Sequence, residues 1–183
     1  VSVEPEAAFT ASPISGCMPL EVDFTNQSIN YTFSSWDFND GNTSNAVSPS
    51  HTFTQAGSYT VTLLVENDNG CQDSISQIIT VYPVPFADFN IASTDACYAP
   101  VLLSTSNTST GAIGYEWDFD NGMTSTLNNP SNAYLTPGTY TIELIATTIH
   151  GCADTAYLPF SVYPLPDAAF TLPSATARVG QVI

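Results

Sequence analysis

Apolar and polar residues alternate along much of this chain with a period of two. Tyr59, Val61, Leu63 and Val65 alternate with Thr60, Thr62, Leu64 and Glu66. Tyr140, Ile142, Leu144 and Ala146 alternate in the same way with Thr141, Glu143, Ile145 and Thr147. Leu20, Val22 and Phe24 interleave with Glu21 and Asp23, and shorter runs surround Trp36, Phe38, Ile79 and Val81. Because side chains on a strand point alternately to opposite faces, this pattern predicts strands with one apolar face and one Thr/Ser-rich face. Turn signals separate the runs: NDG at 39–41, AG at 56–57, NDNG at 67–70 and TPG at 136–138. No stretch reads as an amphipathic helix with caps. The expected class is all-β, with short strands packed as β-sandwiches.

The pattern repeats. Trp36 matches Trp117, Tyr59 matches Tyr140, Gly70 matches Gly151 and Cys71 matches Cys152, all at a shift of 81; Cys17 and Cys97 are 80 apart. One residue was therefore gained just after the first cysteine of the second copy. WDFNDG faces WDFDNG, AGSYTVTLLV faces PGTYTIELIA, NGCQDS faces HGCADT, and both copies end in VYPxP. A period near 80 is too long for a solenoid repeat, so each copy should be a domain with its own core. The expected division is 1–6 as the end of a preceding repeat or linker, 7–82 as domain 1, and 83–86 as a Pro-rich linker. It continues with 87–163 as domain 2, 164–167 as a second linker, and 168–183 as the start of a third repeat. On this reading the chain is a piece of a longer array.

Composition narrows the function. The chain has 183 residues, with one Lys or Arg against 17 Asp or Glu, a formal charge of −16. Its single cation, Arg178, lies beyond both copies. Nucleic-acid binding needs several cations to displace counterions from phosphates, so it is excluded as a partner class. A basic membrane anchor and phosphoryl-transfer clamps fail on the same count. No apolar run approaches the length of a membrane span, so no membrane insertion is expected. With 43 % hydrophobic and 11 % aromatic residues, the chain has the material for packed cores.

Both copies carry a recognisable signature. WDFNDG and WDFDNG, followed by PSHTF…AGSYTVTLLV and PSNAY…PGTYTIELIA, resemble the W-D-F-G-D-G and later landmarks of PKD (polycystic kidney disease) domains. The resemblance implies tandem immunoglobulin-like β-sandwiches in a rod-like array, extracellular and non-catalytic, serving as spacer, adhesive or load-bearing modules. The cysteine-containing variety is similar to PKD repeats in large surface proteins of Bacteroidota. These include adhesins exported by the type IX system, gliding-motility adhesins among them. The expected location is the bacterial cell surface, and the expected partners are neighbouring repeats of the same chain. A surface polysaccharide or protein ligand is the external class left open. The alternative role is an accessory carbohydrate-binding or spacer module of a secreted hydrolase.

The motif residues have structural readings. Trp36 and Trp117 should centre the two cores. Asp40–Gly41 and Asn121–Gly122 suit the left-handed conformation of a tight turn, with Asp37 and Asp118 accepting backbone hydrogen bonds nearby. A catalytic carboxylate pair at Asp37 and Asp40 is the sharper reading. The second copy argues against it, because Asn39–Asp40 becomes Asp120–Asn121 there and the reacting oxygen would move.

Four widely spaced cysteines, Cys17, Cys71, Cys97 and Cys152, with no CxxC pair, suggest disulfides and an oxidising compartment. Three connectivities are open. The repeat favours Cys17–Cys71 and Cys97–Cys152, which treats both copies alike, each closing a loop of about 55 residues for roughly 4 kcal/mol. Calcium is the cofactor to consider at this charge. The family's acidic loop, however, corresponds here to TNQSINYTFSS and TSNTSTGAIGY, which hold no Asp or Glu, so no cofactor is expected. Ser74 and Thr155 sit in Asp-Ser/Thr-aliphatic tripeptides resembling a Bacteroidota O-glycosylation site. His51 and His150 face Asn132 and Asn69 in the other copy, with no reactive Ser or Cys in the pattern, so no nucleophilic catalysis is expected. The joints Tyr82-Pro83-Val84-Pro85 and Tyr163-Pro164-Leu165-Pro166 should be extended and stiff. Without lysine, Lys–Asn cross-links are impossible, and strands and disulfides must carry any load.

Overall fold

The computed structural model describes residues 3–93 and 95–171. The proposed third repeat therefore lies outside the described residues from 172 onward, as does Arg178. Every regular element among the described residues is a strand.

The first unit holds β1 (Phe9–Ser12), β2 (Ser15–Cys17), β3 (Leu20–Asn26), β4 (Phe33–Asp37), β5 (Thr43–Ser44), β6 (Ser50–Phe53), β7 (Gly57–Glu66) and β8 (Gln72–Tyr82). The second repeats the order with β9 (Phe89–Ile91), β10 (Asp95–Ala96), β11 (Val101–Asn107), β12 (Gly114–Asp118), β13 (Thr124–Ser125), β14 (Ser131–Tyr134), β15 (Gly138–Thr147) and β16 (Ala153–Val162). Each unit pairs a three-stranded sheet, β1-β3-β6 or β9-β11-β14, with a five-stranded one, β2-β8-β7-β4-β5 or β10-β16-β15-β12-β13.

The first strand of each unit is split between the sheets. β1 runs antiparallel to β3, whereas β2, three residues further on, runs parallel to the end of β8 with Cys17 opposite Tyr82. In the second unit β10 meets β16 in the same way, Ala96 opposite Val162. This places the first cysteine of each unit beside the last residues of its final strand.

The alternating residues build the cores. Val22, Phe24, Trp36, Phe53, Val61, Leu63, Val65 and Ile79 fill the first unit; Phe89, Trp117, Tyr134, Ile142, Leu144 and Phe160 fill the second. Phe9 meets Trp36 edge-on with 5.0 Å between ring centres, and Phe89 meets Trp117 at the same distance, an arrangement aromatic quadrupoles favour. The hydroxyl of Tyr59 donates to the carbonyl of Gln55 and that of Tyr140 to Thr136, both at 2.9 Å. These bonds tie each β7-type strand to the turn before it, as in the tyrosine corner of immunoglobulin-like sandwiches.

Candidate functional site

The WDF turn is local backbone chemistry. Oδ1 of Asp37 accepts the N–H of Asn39 at 2.8 Å, and Oδ1 of Asp118 accepts that of Asp120 at 2.8 Å. The left-handed residues are Asn39 (φ 59°) and Asp120 (φ 57°), followed by Gly41 and Gly122. The expectation that placed Asp40 and Asn121 in that conformation is corrected by one residue. Their side-chain Oδ1 atoms accept the N–H groups of Asn42 and Met123 two positions on, a bond that Asp and Asn make readily in turns. Trp36 and Trp117 anchor the far side of this turn, donating Nε1–H to Ala46 at 3.0 Å and to Leu127 at 2.9 Å. Each carboxylate of this turn in the first unit thus holds backbone, and the second oxygen of Asp40 faces a side chain. Its partner is His51, with Nε2 at 2.7 Å from Oδ2.

The junction between the units is the other constellation. Cys17 forms a disulfide with Cys152, 135 residues away, with 5.6 Å between Cα atoms. Cys71 and Cys97 are free thiols. The within-unit pairing, Cys17–Cys71 and Cys97–Cys152, is therefore corrected, and the strands supply the reason. Cys71 directly precedes β8, whereas Cys17 lies opposite Tyr82 at that strand's far end. Eleven residues of strand put about 33 Å between them, and a disulfide tolerates less than about 7 Å between Cα atoms. Each unit carries one cysteine at its trailing end and one at its leading end, so a bridge between consecutive units is the one geometry allows.

Around this bridge the joint is short and docked. Between Tyr82, the last ladder residue of the first unit, and Phe86, which exchanges backbone hydrogen bonds with Thr110, only Pro83, Val84 and Pro85 intervene. Pro85 is buried, with its Cα 3.7 Å from where a Cβ on Gly111 would lie. The carboxylate of Asp154 accepts the N–H of Ala87 at 2.8 Å, just as Asp73 accepts that of Ala7 at 2.7 Å. Across the joint the ring of Tyr82 stacks on His150, with centroids 3.8 Å apart and planes 8° from parallel. A covalent bond and a ring stack thus span one three-residue connection.

Asp154, Tyr82 and His150 carry this junction, with Asp73 in the matching place at the start of the first unit, and only part of it was readable. Asp73 and Asp154 recur at one place in both copies and lead the tripeptides of Ser74 and Thr155, yet nothing local shows that they reach the linker. Ser74 is exposed and Thr155 half-buried on their strands. Among the described residues no three His, Cys, Asp or Glu side chains gather as a metal site, and no helix is long and apolar enough to cross a membrane.

The PKD domain family model matches the chain twice, at residues 2–83 and 80–162. A pre-pro-metalloprotease, PrtV, of Vibrio cholerae is 38 % identical over 91 residues, which are 48 % of this chain and 10 % of that protein. The collagenase ColQ1 of Bacillus cereus is 44 % identical over 46 residues, 25 % of this chain and 5 % of its own length. The crystal structure of the PKD1 domain of the Vibrio metalloprotease is 30 % identical, covers 44 % of this chain and 98 % of its own, and superposes with a TM-score of 0.39. The chain thus spans about a tenth or less of the curated relatives it matches. With two consecutive stretches matched from residue 2 to residue 162, the chain belongs to the PKD domain family, as a tandem of two such domains.

Proposed function

We propose that this chain is a non-catalytic, load-bearing part of a large extracellular adhesin or filament on a bacterial surface. The gliding-motility adhesins exported by the type IX system are the class its cysteine-bearing repeats resemble. The observation that carries the reading is the Cys17–Cys152 bridge between units. Tension applied to the two ends of the chain passes from residue 17 through the disulfide to residue 152 and bypasses everything between. The bridge hides about 470 Å of extensible chain, at about 3.5 Å per residue. A stable disulfide also fits an oxidising, extracellular setting.

Single-molecule stretching from the chain ends tests this. The oxidised protein should release only the strands outside the loop, β1 with β2 and β16, in steps of about 50 Å or less. The reduced protein should show two steps, each lengthening the chain by the order of 250 Å for a unit of about 80 residues. Equal step patterns in the two states would remove the load-bearing reading.

A second reading, an accessory module of a secreted hydrolase, is favoured by relatives that are a metalloprotease and a collagenase. Its ligand would be a polysaccharide or a matrix protein. Exposed rings among the described residues include Phe33 on β4, Phe86 in the linker, Tyr98 after β10, Tyr157 on β16, Tyr163 just beyond it and Phe170. Retention of the oxidised chain on an insoluble polysaccharide, abolished by Tyr157→Ala or Tyr98→Ala, would favour this second role.

A further inference from the structure

The two free thiols occupy the same places as the two bonded ones. Cys71 sits in a turn where Asn67 N–H donates to the Cys71 carbonyl and Gly70 N–H to Asn67. Thr148, Gly151 and Cys152 make the same two bonds. Even the side-chain bond is matched: Cys71 N–H donates to Oδ1 of Asn67 and Cys152 N–H to Oγ1 of Thr148, both at 3.1 Å. Gly70 and Gly151 share the left-handed conformation, at φ 77° and 80°. At the other end, Cys97 follows Ala96, which lies opposite Val162, just as Cys17 follows Gly16, opposite Val81. The differences are in exposure: Cys152 is buried and Cys71 half-buried, while Cys17 is half-buried and Cys97 exposed.

We propose that Cys71 and Cys97 are the two halves of this same staple. Cys97 forms a disulfide with the cysteine of a Gly-Cys turn at the leading end of an adjoining PKD repeat. Cys71 forms one with the edge-strand cysteine at the trailing end of another. The proposal rests on the bridged junction of the reading above and extends it to both outer faces of the tandem. The contact is head-to-tail, so it does not close on itself and can propagate. No Lys or Arg is present before residue 178, so no ionic attraction joins one acidic unit to the next, and a covalent bond does so instead.

The chemistry requires a disulfide oxidant, such as an oxidoreductase disulfide or oxidised glutathione. One protein thiolate attacks it, releasing one reduced thiol and leaving a mixed disulfide. The second protein thiolate displaces the other half, so two cysteine thiols are oxidised and two thiols of the oxidant are formed, carrying the two protons.

The test mixes two single variants of the full chain, Cys71→Ser and Cys97→Ser, in oxidised glutathione. Mapping of Cys17–Cys152 in each reports that the junction is intact. The expected product is a mixed dimer joined Cys97 to Cys71. It should exceed the two homodimers together by about tenfold, the ratio given by a preference of about 1.4 kcal/mol. Random pairing, which yields equal amounts, overturns the proposal and leaves the load-bearing reading standing. So does the absence of any link while Cys17–Cys152 forms, or a Cys71–Cys97 bond within the unmutated chain. Failure of Cys17–Cys152 itself to form overturns both. Non-reducing electrophoresis and peptide mapping of the protein from its native cells then separate the sources of the partner. A Cys97 link within one polypeptide mass identifies a neighbouring repeat, and a reducible ladder identifies separate copies. Free thiols at both positions in that material also overturn the proposal.

Discussion

The carboxylate of Asp40 lies 2.7 Å from Nε2 of His51, whose ring lies flat on Phe38 with 4.0 Å between centroids. Burial pushes the Asp40 carboxyl up, but the bonds from His51 and from Asn42 outweigh it and hold the group below its ordinary value of 3.8. A carboxylate lowered in the folded state binds fewer protons there than in the unfolded chain. Its contribution is therefore full above the ordinary value and disappears as pH falls through the lowered one. The second unit handles the same place differently: Asn132 replaces the histidine with Nδ2 buried and unpartnered, and Asn121 donates to Ala133. His51→Asn should raise the Asp40 titration toward 3.8, read by carboxyl carbon NMR. The stability gap between variant and parent should narrow on acidification below about pH 4 without closing, since the stack on Phe38 remains lost. A gap that widened on acidification would contradict this account.

At the scale of elements, β2 and β3 are matched to each other as a pair, and so are β10 and β11. A Cβ on Gly16 would come within 2.6 Å of Cδ1 of Leu20. In the second unit Ala96 holds the glycine's place and Val101, one carbon shorter, begins the strand that Leu20 begins in the first. Both Ala96 and Val101 pack against their core. Gly16→Ala alone should cost about 1 kcal/mol by overpacking, and Leu20→Val alone about 1 kcal/mol by loss of buried carbon. The double variant should cost less than their sum by 0.5 kcal/mol or more, because contacting residues couple; urea unfolding of the four proteins measures the cycle. Such pairs explain how much was legible. Leu20, Val22 and Phe24, or Val61, Leu63 and Val65, announce their buried face by alternation alone. The NDG turn offers three residues tolerant of left-handed backbone, and sequence does not say that Asp40 is already engaged by Asn42. Three-residue β2 has no period to read, so its parallel pairing with β8 was invisible, and with it the end of the sandwich on which Cys17 lies.

For the whole molecule, the repeat argument assumed that treating both copies alike means closing each bridge within a copy. A translation along an open array satisfies the same symmetry when the first cysteine of one unit joins the second cysteine of the next. Only the outermost thiols are then left over, and these are Cys71 and Cys97. The two pairings differ in what reduction does. Cys17 lies beside Tyr82 in space, so when the second unit unfolds alone the bridge closes a loop from about Tyr82 to Cys152; when the first unfolds alone, it closes one from Cys17 to the linker. Both loops are about 65–70 residues long, so one bridge should stabilise each unit by up to about 4 kcal/mol in the chain-entropy account. A within-unit bridge would stabilise only the unit that holds it. Each unit has one buried tryptophan, Trp36 or Trp117, so Trp117→Phe and Trp36→Phe variants report the units separately by fluorescence. Reduction, or Cys17→Ser in an otherwise unchanged chain, should lower the unfolding midpoint seen by both reporters. The substitution reaches the second unit although residue 17 belongs to the first, and a fall confined to the Trp36 signal would mean that the bridge does not couple the two domains.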